Sequence, residues 1–211
     1  MSDKQNIAIV GYSGHALVVL ESAKHMGLFV DFYTERKIVP FNPFSLTYLG
    51  DEGDEYFEWN RLDAFILGIG DNRLRDKIAQ RIKGMGKAIC NVIHPSSTVS
   101  IWAQMGTGNY IAPQVALNAF AQIGDNCILN TGSIVEHECK LGSSVHLAPG
   151  AVLAGNVSVG DLTFIGANAV VKQGLNIGKN VTVGAGAVVI EDIPDNTIFV
   201  GNPAREIKKK S

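Results

Sequence analysis

Apolar residues in this chain follow two different patterns, one before and one after His94-Pro95. Before it, an apolar run at residues 6–11 ends in glycine, and residues 14–27 then have helical spacing. The alternation continues with predicted strands at 28–33, 64–70 and 88–93 and a predicted helix at 73–83. This order predicts a small parallel sheet covered by helices, with residues 37–60 as a loop holding at most one helical turn.

After His94-Pro95, apolar residues recur at every sixth position. Each sixth residue from Ile93 to Val189 is aliphatic or Met, without interruption. Five glycines carry a second period of 18, namely Gly106, Gly124, Gly142, Gly160 and Gly178. Small residues stand two positions before many of the aliphatic ones: Ala121, Cys127, Ser133, Cys139, Ala151, Ala169 and Ala187. The pattern predicts a parallel β-helix with 18-residue coils and little room at the corners.

Two of the repeats, Ile-Gly-Asp-Asn-Cys-Ile at 123–128 and Ile-Gly-Lys-Asn-Val-Thr at 177–182, resemble those of the hexapeptide-repeat acyltransferases. The resemblance, and not the period, implies a left-handed coil. The expected fold is thus an α/β Rossmann-like parallel sheet followed by a left-handed parallel β-helix. We expect a nucleotide-sugar-binding domain at 1–93, an acyltransferase domain at 94–190 and a C-terminal tail at 191–211.

The order of these domains narrows the resemblance. Gly-Tyr-Ser-Gly-His at 11–15 follows the first strand, the β-helix comes next, and Phe-Val-Gly-Asn-Pro-Ala at 199–204 closes the chain. This layout resembles the nucleotide-sugar N-acetyltransferases of the bacillosamine, perosamine and viosamine type, and the related sialic acid O-acetyltransferases. The resemblance implies acetyl-CoA as the cosubstrate, no metal, and a homotrimer whose active sites lie between neighbouring subunits.

Composition and charge exclude several other classes. The chain has 46% apolar and 18% charged residues and a formal net charge of −2, so neither nucleic acid nor an anionic membrane is the expected partner. No stretch approaches the roughly 18 apolar residues of a membrane span, and no signal peptide begins the sequence. We therefore expect a cytoplasmic protein. Cys90, Cys127 and Cys139 lack metal-ligand spacing and are interpreted as small buried residues.

His137 is the candidate catalytic base. It lies two residues after the predicted buried Val135, at a corner of the coil, between the carboxylates Glu136 and Glu138. On residue type alone a solvated surface histidine is the commoner interpretation, but Glu-His-Glu in this register resembles the catalytic segment of the family. An amine attacks a thioester only when neutral, so a base that takes its proton suits the reaction. Glu138 would hold or polarise the imidazole.

Candidate acetyl-CoA contacts follow from the 18-residue period and the resemblance. Gly155 lies one coil beyond His137, about 4.8 Å away at strand spacing, and its N–H could bond the thioester oxygen or the adduct oxyanion. Spacing alone fits a corner glycine without a ligand equally well. Ala167 and Ala185 are one coil apart on a column where the family lays the pantetheine arm. His146 matches a family position that touches the coenzyme.

Candidate substrate contacts lie mainly in the first domain. The loop that leads into the first helix offers free N–H groups and a helix dipole for a diphosphate, and the resemblance assigns this contact to Ser13, Gly14 and His15. It is not a Gly-x-Gly-x-x-Gly motif, which argues against NAD. The remaining expected substrate contacts are Gly70 at a strand end, Thr34 and Glu35 at the next strand end, and Asn130 in the β-helix.

The expected reaction is N-acetylation of the 4-amino group of a nucleotide-linked 4-amino-4,6-dideoxy sugar by direct attack. Thr34 and Glu35 replace the paired aspartates that a relative has near the base, which leaves the nucleotide open. Three alternatives also stay open. One is O-acetylation of a sialic acid, another is a non-catalytic nucleotide-sugar-binding trimer, and the third is a γ-carbonic-anhydrase-like metal enzyme. The last needs three histidines, and only His137 and His146 are suitably placed.

Overall fold

The computed structural model describes residues 5–209, with the side chain of Lys209 left out. The first four residues of the predicted first domain and the last two of the predicted tail lie outside this range. Within it, neither α-helix is long and apolar enough to cross a membrane.

The N-terminal domain is a five-stranded parallel sheet centred on a wholly buried strand. Its strands are β1 (Ile7–Val10), β2 (Phe32–Thr34), β3 (Thr47–Tyr48), β4 (Ala64–Leu67) and β5 (Ala88–Ile89). Their order is β3-β2-β1-β4-β5, and each pairing is parallel. Its helices are α1 (Gly14–His25), α2 (Asn72–Gly84) and a 3₁₀ turn at Trp59–Arg61. Continuous apolar strands such as β1 are typical of parallel sheets that are covered on both faces.

Three details of the sequence prediction need correction here. The second strand begins at Phe32 rather than at 28, because residues 28–31 complete the turn after α1. The stretch 37–60 contributes β3 to the edge of the sheet, where two residues give no detectable period. The predicted strand 88–93 is two strands in two different sheets. Only Ala88–Ile89 joins the first domain, and Val92–Ile93 pairs with the β-helix.

The rest of the chain forms a parallel β-helix with three faces, which we call sheets I, II and III. Sheet I holds β6 (Val92–Ile93), β9 (Tyr110–Ile111), β12 (Ile128–Leu129), β15 (His146–Leu147), β18 (Phe164–Ile165) and β21 (Thr182–Val183). Sheet II holds β7 (Thr98–Val99), β10 (Ala116–Leu117), β13 (Ile134–Val135), β16 (Val152–Leu153), β19 (Val170–Val171) and β22 (Val188–Val189). Sheet III holds β8 (Gln104–Met105), β11 (Gln122–Ile123), β14 (Lys140–Leu141), β17 (Ser158–Val159) and β20 (Asn176–Ile177).

Each step from one coil to the next is 18 residues, as the sequence predicts. Ala116, for example, pairs with Ile134, and Ile134 pairs with Val152. We number the coils from 1, which starts at Val92, to 6, which starts at Thr182, and name each corner by the two sheets that it joins. The small residues at the corners, Ala121, Cys127, Ser133, Cys139, Ala151, Ala169 and Ala187, are all fully buried.

The glycine column shows why coils can stack so closely. A Cβ on Gly124 would lie 2.7 Å from the carbonyl of Gly142, and one on Gly160 would lie 2.6 Å from the Lys179 nitrogen. Real Cβ atoms essentially never come this near to backbone. The 18-residue glycine period is therefore a packing requirement at corner III–I.

The predicted tail contains two further strands. Strand β23 (Thr197–Val200) extends sheet I in parallel beyond β21, and β24 (Arg205–Lys209) pairs with β23 antiparallel. Phe199 is buried and belongs to the core of the β-helix. This segment therefore covers the C-terminal end of the apolar column.

Helix α1 lies along sheet I and crosses several coils. The His25 Nδ1 atom is 3.0 Å from His94 Nε2 beside coil 1, and the hydroxyls of Ser22 and Tyr110 are 3.0 Å apart at coil 2. At the other end of the helix, the rings of His15 and His146 have centroids 6.4 Å apart at coil 4. The helix therefore runs along the stack, with its N-terminus nearest to the later coils.

Arg75 of α2 joins the two domains at corner III–I. The side chain is 1% exposed. Its Nε donates to the Asn126 carbonyl at 2.7 Å and its Nη2 to the Ser144 carbonyl at 3.1 Å, both in the β-helix. Its Nη1 donates to the Ile69 and Gly70 carbonyls at 3.2 and 3.0 Å. A guanidinium thus satisfies buried carbonyls of both domains at once.

Replacing Arg75 with Met should therefore weaken the contact between the domains. The variant leaves four buried carbonyls without their donor, and we expect a loss of about 3 kcal/mol or more in the free energy of unfolding. Urea denaturation followed by circular dichroism measures this. Arg73→Met, an exposed change on the same helix, is the control. Equal stability of the two variants would contradict the role of Arg75.

Candidate active site

His137 and Glu138 form a pair at corner II–III of coil 3. The His137 Nδ1 atom lies 3.1 Å from Glu138 Oε2, and both side chains are more than half exposed. A carboxylate can only accept, so Nδ1 carries the proton in this pair and Nε2 is left with a free lone pair. Glu138 has a left-handed backbone, with φ of 63°, which turns the corner immediately after the histidine.

Gly155 lies directly beneath the imidazole on coil 4. A Cβ at this position would be 2.6 Å from both Cε1 and Nε2 of His137. The neighbouring amides, Ala154 N and Asn156 N, donate to the Val171 and His137 carbonyls at 3.0 and 2.8 Å. Among the described residues, the Gly155 N–H has no such partner. The free nitrogen of a histidine and a free backbone donor therefore stand side by side.

A second group of predicted residues meets at sheet I, where the domains touch. The His146 Nδ1 atom lies 3.4 Å from the Gly70 carbonyl, and its Nε2 lies 3.3 Å from Asn130 Nδ2. The His15 ring packs beside His146, and its buried Nε2 has no hydrogen-bond partner among the described residues. Four predicted contacts from distant parts of the sequence are thereby brought together.

Both histidines of this group are held neutral. Burial, and then the nearby charge of Arg75, lower the pKa of His15 to about 4. Burial, with the charges of Arg75 and His15, lowers the pKa of His146 to about 3. At neutral pH these rings can offer an N–H or an apolar face to a ligand, but no positive charge.

The loop before α1 is built to receive an anion. Gly11 has φ of +80°, and a Cβ there would lie 2.9 Å from Ile69, so the turn requires glycine. Ser13 occupies the N-cap position without a side-chain capping bond, and the first turn of the helix has no acidic residue. A Cβ on Gly14 would meet nothing within 4 Å. The N–H groups of the first turn, which lack partners in the helix, thus face open space.

Beside this loop, at the carboxyl ends of β1, β2 and β4, lies a cavity of about 520 Å³. Thr34 and Glu35 line it, but neither side chain is free. Thr34 Oγ1 donates to Glu52 Oε2 at 3.2 Å, and Glu35 Oε2 accepts from Tyr12 N at 3.1 Å. Glu35 therefore fixes the phosphate loop to the end of β2.

The sequence reasoning missed several charged residues of this cavity. Glu52 is buried, and its Oε1 accepts from Arg81 at 3.3 Å. Burial raises the pKa of the Glu52 carboxyl above its ordinary value, although Thr34 and Arg81 stabilise the charged form. Arg36 and Lys77 also line the cavity. The acidic run at 51–54 was the available signal, but it lies in the stretch interpreted as loop.

Ala167 and Ala185 lie at corner I–II of coils 5 and 6, on the same side of the β-helix as Asn130. His137 and Gly155 lie at corner II–III, opposite sheet I. One side of a coil is six residues, so roughly 15 Å or more separates this corner from sheet I. Within one chain the predicted site residues therefore form two separate groups.

The chain matches three family models over its two domains. The PglD N-terminal domain matches residues 6–82. The six-repeat bacterial transferase hexapeptide model matches 120–155 and 138–173, and the hexapeptide repeat of succinyl-transferase matches 156–191.

Solved structures match nearly the whole chain. A mutant of perosamine N-acetyltransferase from Caulobacter crescentus, in complex with CoA and GDP-perosamine, is 36% identical, with a TM-score of 0.89 and 97% of each chain covered. The chain belongs to the hexapeptide-repeat nucleotide-sugar acetyltransferases. The acetyltransferase domain of PglB from Neisseria gonorrhoeae, in complex with acetyl coenzyme A, is 31% identical over 97% of this chain and 100% of that one, with a TM-score of 0.89.

A third member of similar architecture is WeeI from Acinetobacter baumannii, which is 26% identical, covers 96% of this chain and 99% of its own, and has a TM-score of 0.84. As a hexapeptide-repeat acetyltransferase, this chain is an acyltransferase with an N-terminal parallel-sheet domain and a parallel β-helix. In residues 5–209, no group of three or more His, Cys, Asp or Glu side chains could hold a metal ion.

Gly155 is predicted to be essential because of the imidazole above it. In Gly155→Ala, the new methyl group would force His137 out of its position over coil 4, and turnover should fall roughly 10²-fold. The fold should be retained, since the position needs no left-handed backbone. The measurement is release of the CoA thiol, with the melting temperature recorded in parallel.

Gly84→Ala is the matched control, since a Cβ there meets nothing within 4 Å. If Gly155→Ala kept the activity of this control, the imidazole would not work from the position seen here.

Proposed function

We propose that this protein transfers the acetyl group of acetyl-CoA to the 4-amino group of a nucleotide-linked 4-amino-4,6-dideoxy sugar. The observation that carries this proposal is the His137 imidazole, oriented by Glu138 and lying over Gly155. The match to perosamine N-acetyltransferase in complex with CoA and GDP-perosamine supports the acceptor class. Sequence relatives with a metal-dependent activity are not among the structures described above, so the carbonic-anhydrase alternative has no support.

In the proposed reaction the neutral amine attacks the thioester carbon directly. As the C–N bond forms, the carbonyl electrons move to oxygen, and the N–H of Gly155 bonds that oxyanion. His137 Nε2 takes a proton from the nitrogen, and the Glu138 carboxylate stabilises the resulting imidazolium through Nδ1. When the adduct collapses, the C–S bond breaks and the leaving sulfur takes the proton from His137. No acyl-enzyme forms, so the mechanism is sequential.

The substrates are assigned to the two groups of residues described above. Ser13, Gly14 and His15 would hold the diphosphate, with the nucleoside in the cavity lined by Thr34 and Glu35. Gly70, Asn130 and His146 would border the sugar and the coenzyme where the domains meet. The small side chains of Ala167 and Ala185 leave room for the pantetheine arm at corner I–II.

A second copy of the chain would complete the site. The diphosphate loop and the Ala167–Ala185 column lie on one side of the β-helix, while His137 and Gly155 lie at the opposite corner. A ring of identical copies brings corner II–III of one copy against sheet I and corner I–II of the next. We therefore propose a homotrimer in which every active site contains residues of two copies.

Loss of the base should remove most of the activity. In His137→Ala, we expect the turnover number to fall roughly 10²- to 10⁴-fold while the KM for either substrate changes little, because the imidazole acts on the transition state. Glu138→Gln should lose less, since an amide oxygen can still accept from Nδ1. Thiol release is measured with GDP-, UDP- and dTDP-linked 4-amino-4,6-dideoxy sugars and, as a contrast, free and CMP-linked sialic acid.

Lys140→Ala, an exposed change three residues away, is the control. Wild-type turnover in His137→Ala would remove His137 as the base. Activity of the wild type with sialic acid alone would replace the proposed N-acetylation by O-acetylation. Binding of a nucleotide sugar with no thiol release from any acceptor would instead point to a non-catalytic role.

Complementation tests the composite site. Gly14→Asp places a carboxylate where the diphosphate would bind, and its side chain has room. The Gly14→Asp and His137→Ala variants should each be inactive alone. Co-expressed as mixed trimers they should recover about one quarter of wild-type turnover, because a site can draw its loop and its histidine from different copies. A mixture as inactive as its components would place the whole site within one chain.

A further inference from the structure

Three large apolar side chains are exposed together on the corner that carries His137. Ile101, Trp102 and Phe120 are 89%, 62% and 59% exposed. The Trp102 and Phe120 rings are stacked, with centroids 6.0 Å apart and planes at 29°. We call these three residues the aromatic corner. Contiguous exposed apolar groups of this size usually mark a surface that another molecule covers.

The aromatic corner is in line with the catalytic pair. Trp102, Phe120 and Glu138 occupy equivalent positions of corner II–III on coils 1, 2 and 3, since the strands before them pair with a shift of 18 residues. Adjacent coils are about 4.8 Å apart. The column therefore presents, from one end to the other, two aromatic rings and then His137 with Glu138.

Helix α1 offers a matching outer surface. Gly14, Val18, Glu21 and His25 are exposed, and their spacing of four, three and four places them along one stripe of the helix. Val18 is an exposed large apolar side chain at 39%. The stripe begins at the diphosphate loop and ends beside coil 1, where His25 meets His94.

The heights of the two surfaces agree. The Val18 carbonyl lies 3.5 Å from the Tyr110 hydroxyl on coil 2, which is also the coil of Phe120. His25 lies beside coil 1, which is the coil of Trp102. In a closed ring whose axis runs parallel to the coils, equal coils of neighbouring copies lie at equal height. Val18 of one copy then faces Phe120 of the next, as Gly14 and His15 approach His137.

We propose that the aromatic corner packs against the exposed stripe of α1 in a second copy of this chain. The inference rests on the composite site of the proposed function, and it adds a role for three residues that touch neither substrate. The helix begins at Gly14, so a contact at Val18 fixes the height of the diphosphate loop relative to the neighbour's His137. Trp102 and Phe120 are thus positioning residues for the acceptor amine.

Intermolecular disulfide formation tests this contact directly. The chain with both Val18→Cys and Phe120→Cys should give covalent trimers after mild oxidation, seen on a non-reducing gel, because each copy bonds to the next around the ring. Each single variant should give no such product. Two native cysteines, Cys127 and Cys139, are fully buried and will not compete. The matched control pair is Tyr56→Cys with Phe120→Cys, since Tyr56 is an equally exposed aromatic residue elsewhere on the first domain.

Covalent trimers at the level of the control pair would overturn the proposal. The cross-link needs no turnover, so it can succeed even when no acetyl transfer is found, and the two proposals fail separately. As a second measurement, Trp102→Ser with Phe120→Ser should raise the KM for the nucleotide sugar about tenfold, with folding retained. The Tyr56→Ser control should leave the KM unchanged. A raised KM without the cross-link would mean that the aromatic corner contacts the sugar itself, which also overturns the proposal.

Discussion

The structure depends on one constraint, which is that every coil of the β-helix closes after 18 residues. Inward-pointing aliphatic side chains fill the centre, and glycine or another small residue is needed wherever two coils approach at a corner. Closure at a fixed length turns sequence positions 18 apart into vertical columns. His137 lies over Gly155 for this reason alone, and a single inserted residue between them would separate the base from the free backbone donor.

The N-terminal domain depends on these columns in turn. Arg75 bonds carbonyls at corner III–I on one side, and α1 follows sheet I on the other, so the domain is held against two faces of the stack. This arrangement directs the diphosphate loop away from the His137 of its own chain. Substrate capture and proton transfer are therefore built on opposite sides of one rigid body, and only a ring of copies brings them together.

Much of this organisation could be predicted from the sequence, because a repeat reports its geometry directly. The coil length, the buried corner residues and the neighbourhood of His137 and Gly155 all follow from counting. The left hand of the coil rests on the resemblance alone. Contacts between the domains could not be predicted in the same way. Arg75 looks like any charged helix residue in the sequence, and its partners are carbonyls from 5 to 69 positions away.

Short elements in the first domain were also beyond the sequence. Strand β3 has two residues, which show no period, and the run Ala88 to Ile93 is uniformly apolar although it serves two different sheets. The assigned roles of Thr34 and Glu35 illustrate a related limit of pattern reasoning. Their positions at the strand end were clear, but only the structure shows that Glu52 and the phosphate loop already engage them.

The columns also have an evolutionary consequence. Insertion or deletion of a whole 18-residue coil beyond Gly155 would leave the core continuous and the base in place, yet it would move Ala185 and the closing strands by about 4.8 Å. The reach of the donor groove can thus vary in fixed increments while the acceptor end stays constant. Such a scaffold would let a lineage adapt to longer or shorter acyl donors by changing the number of coils alone.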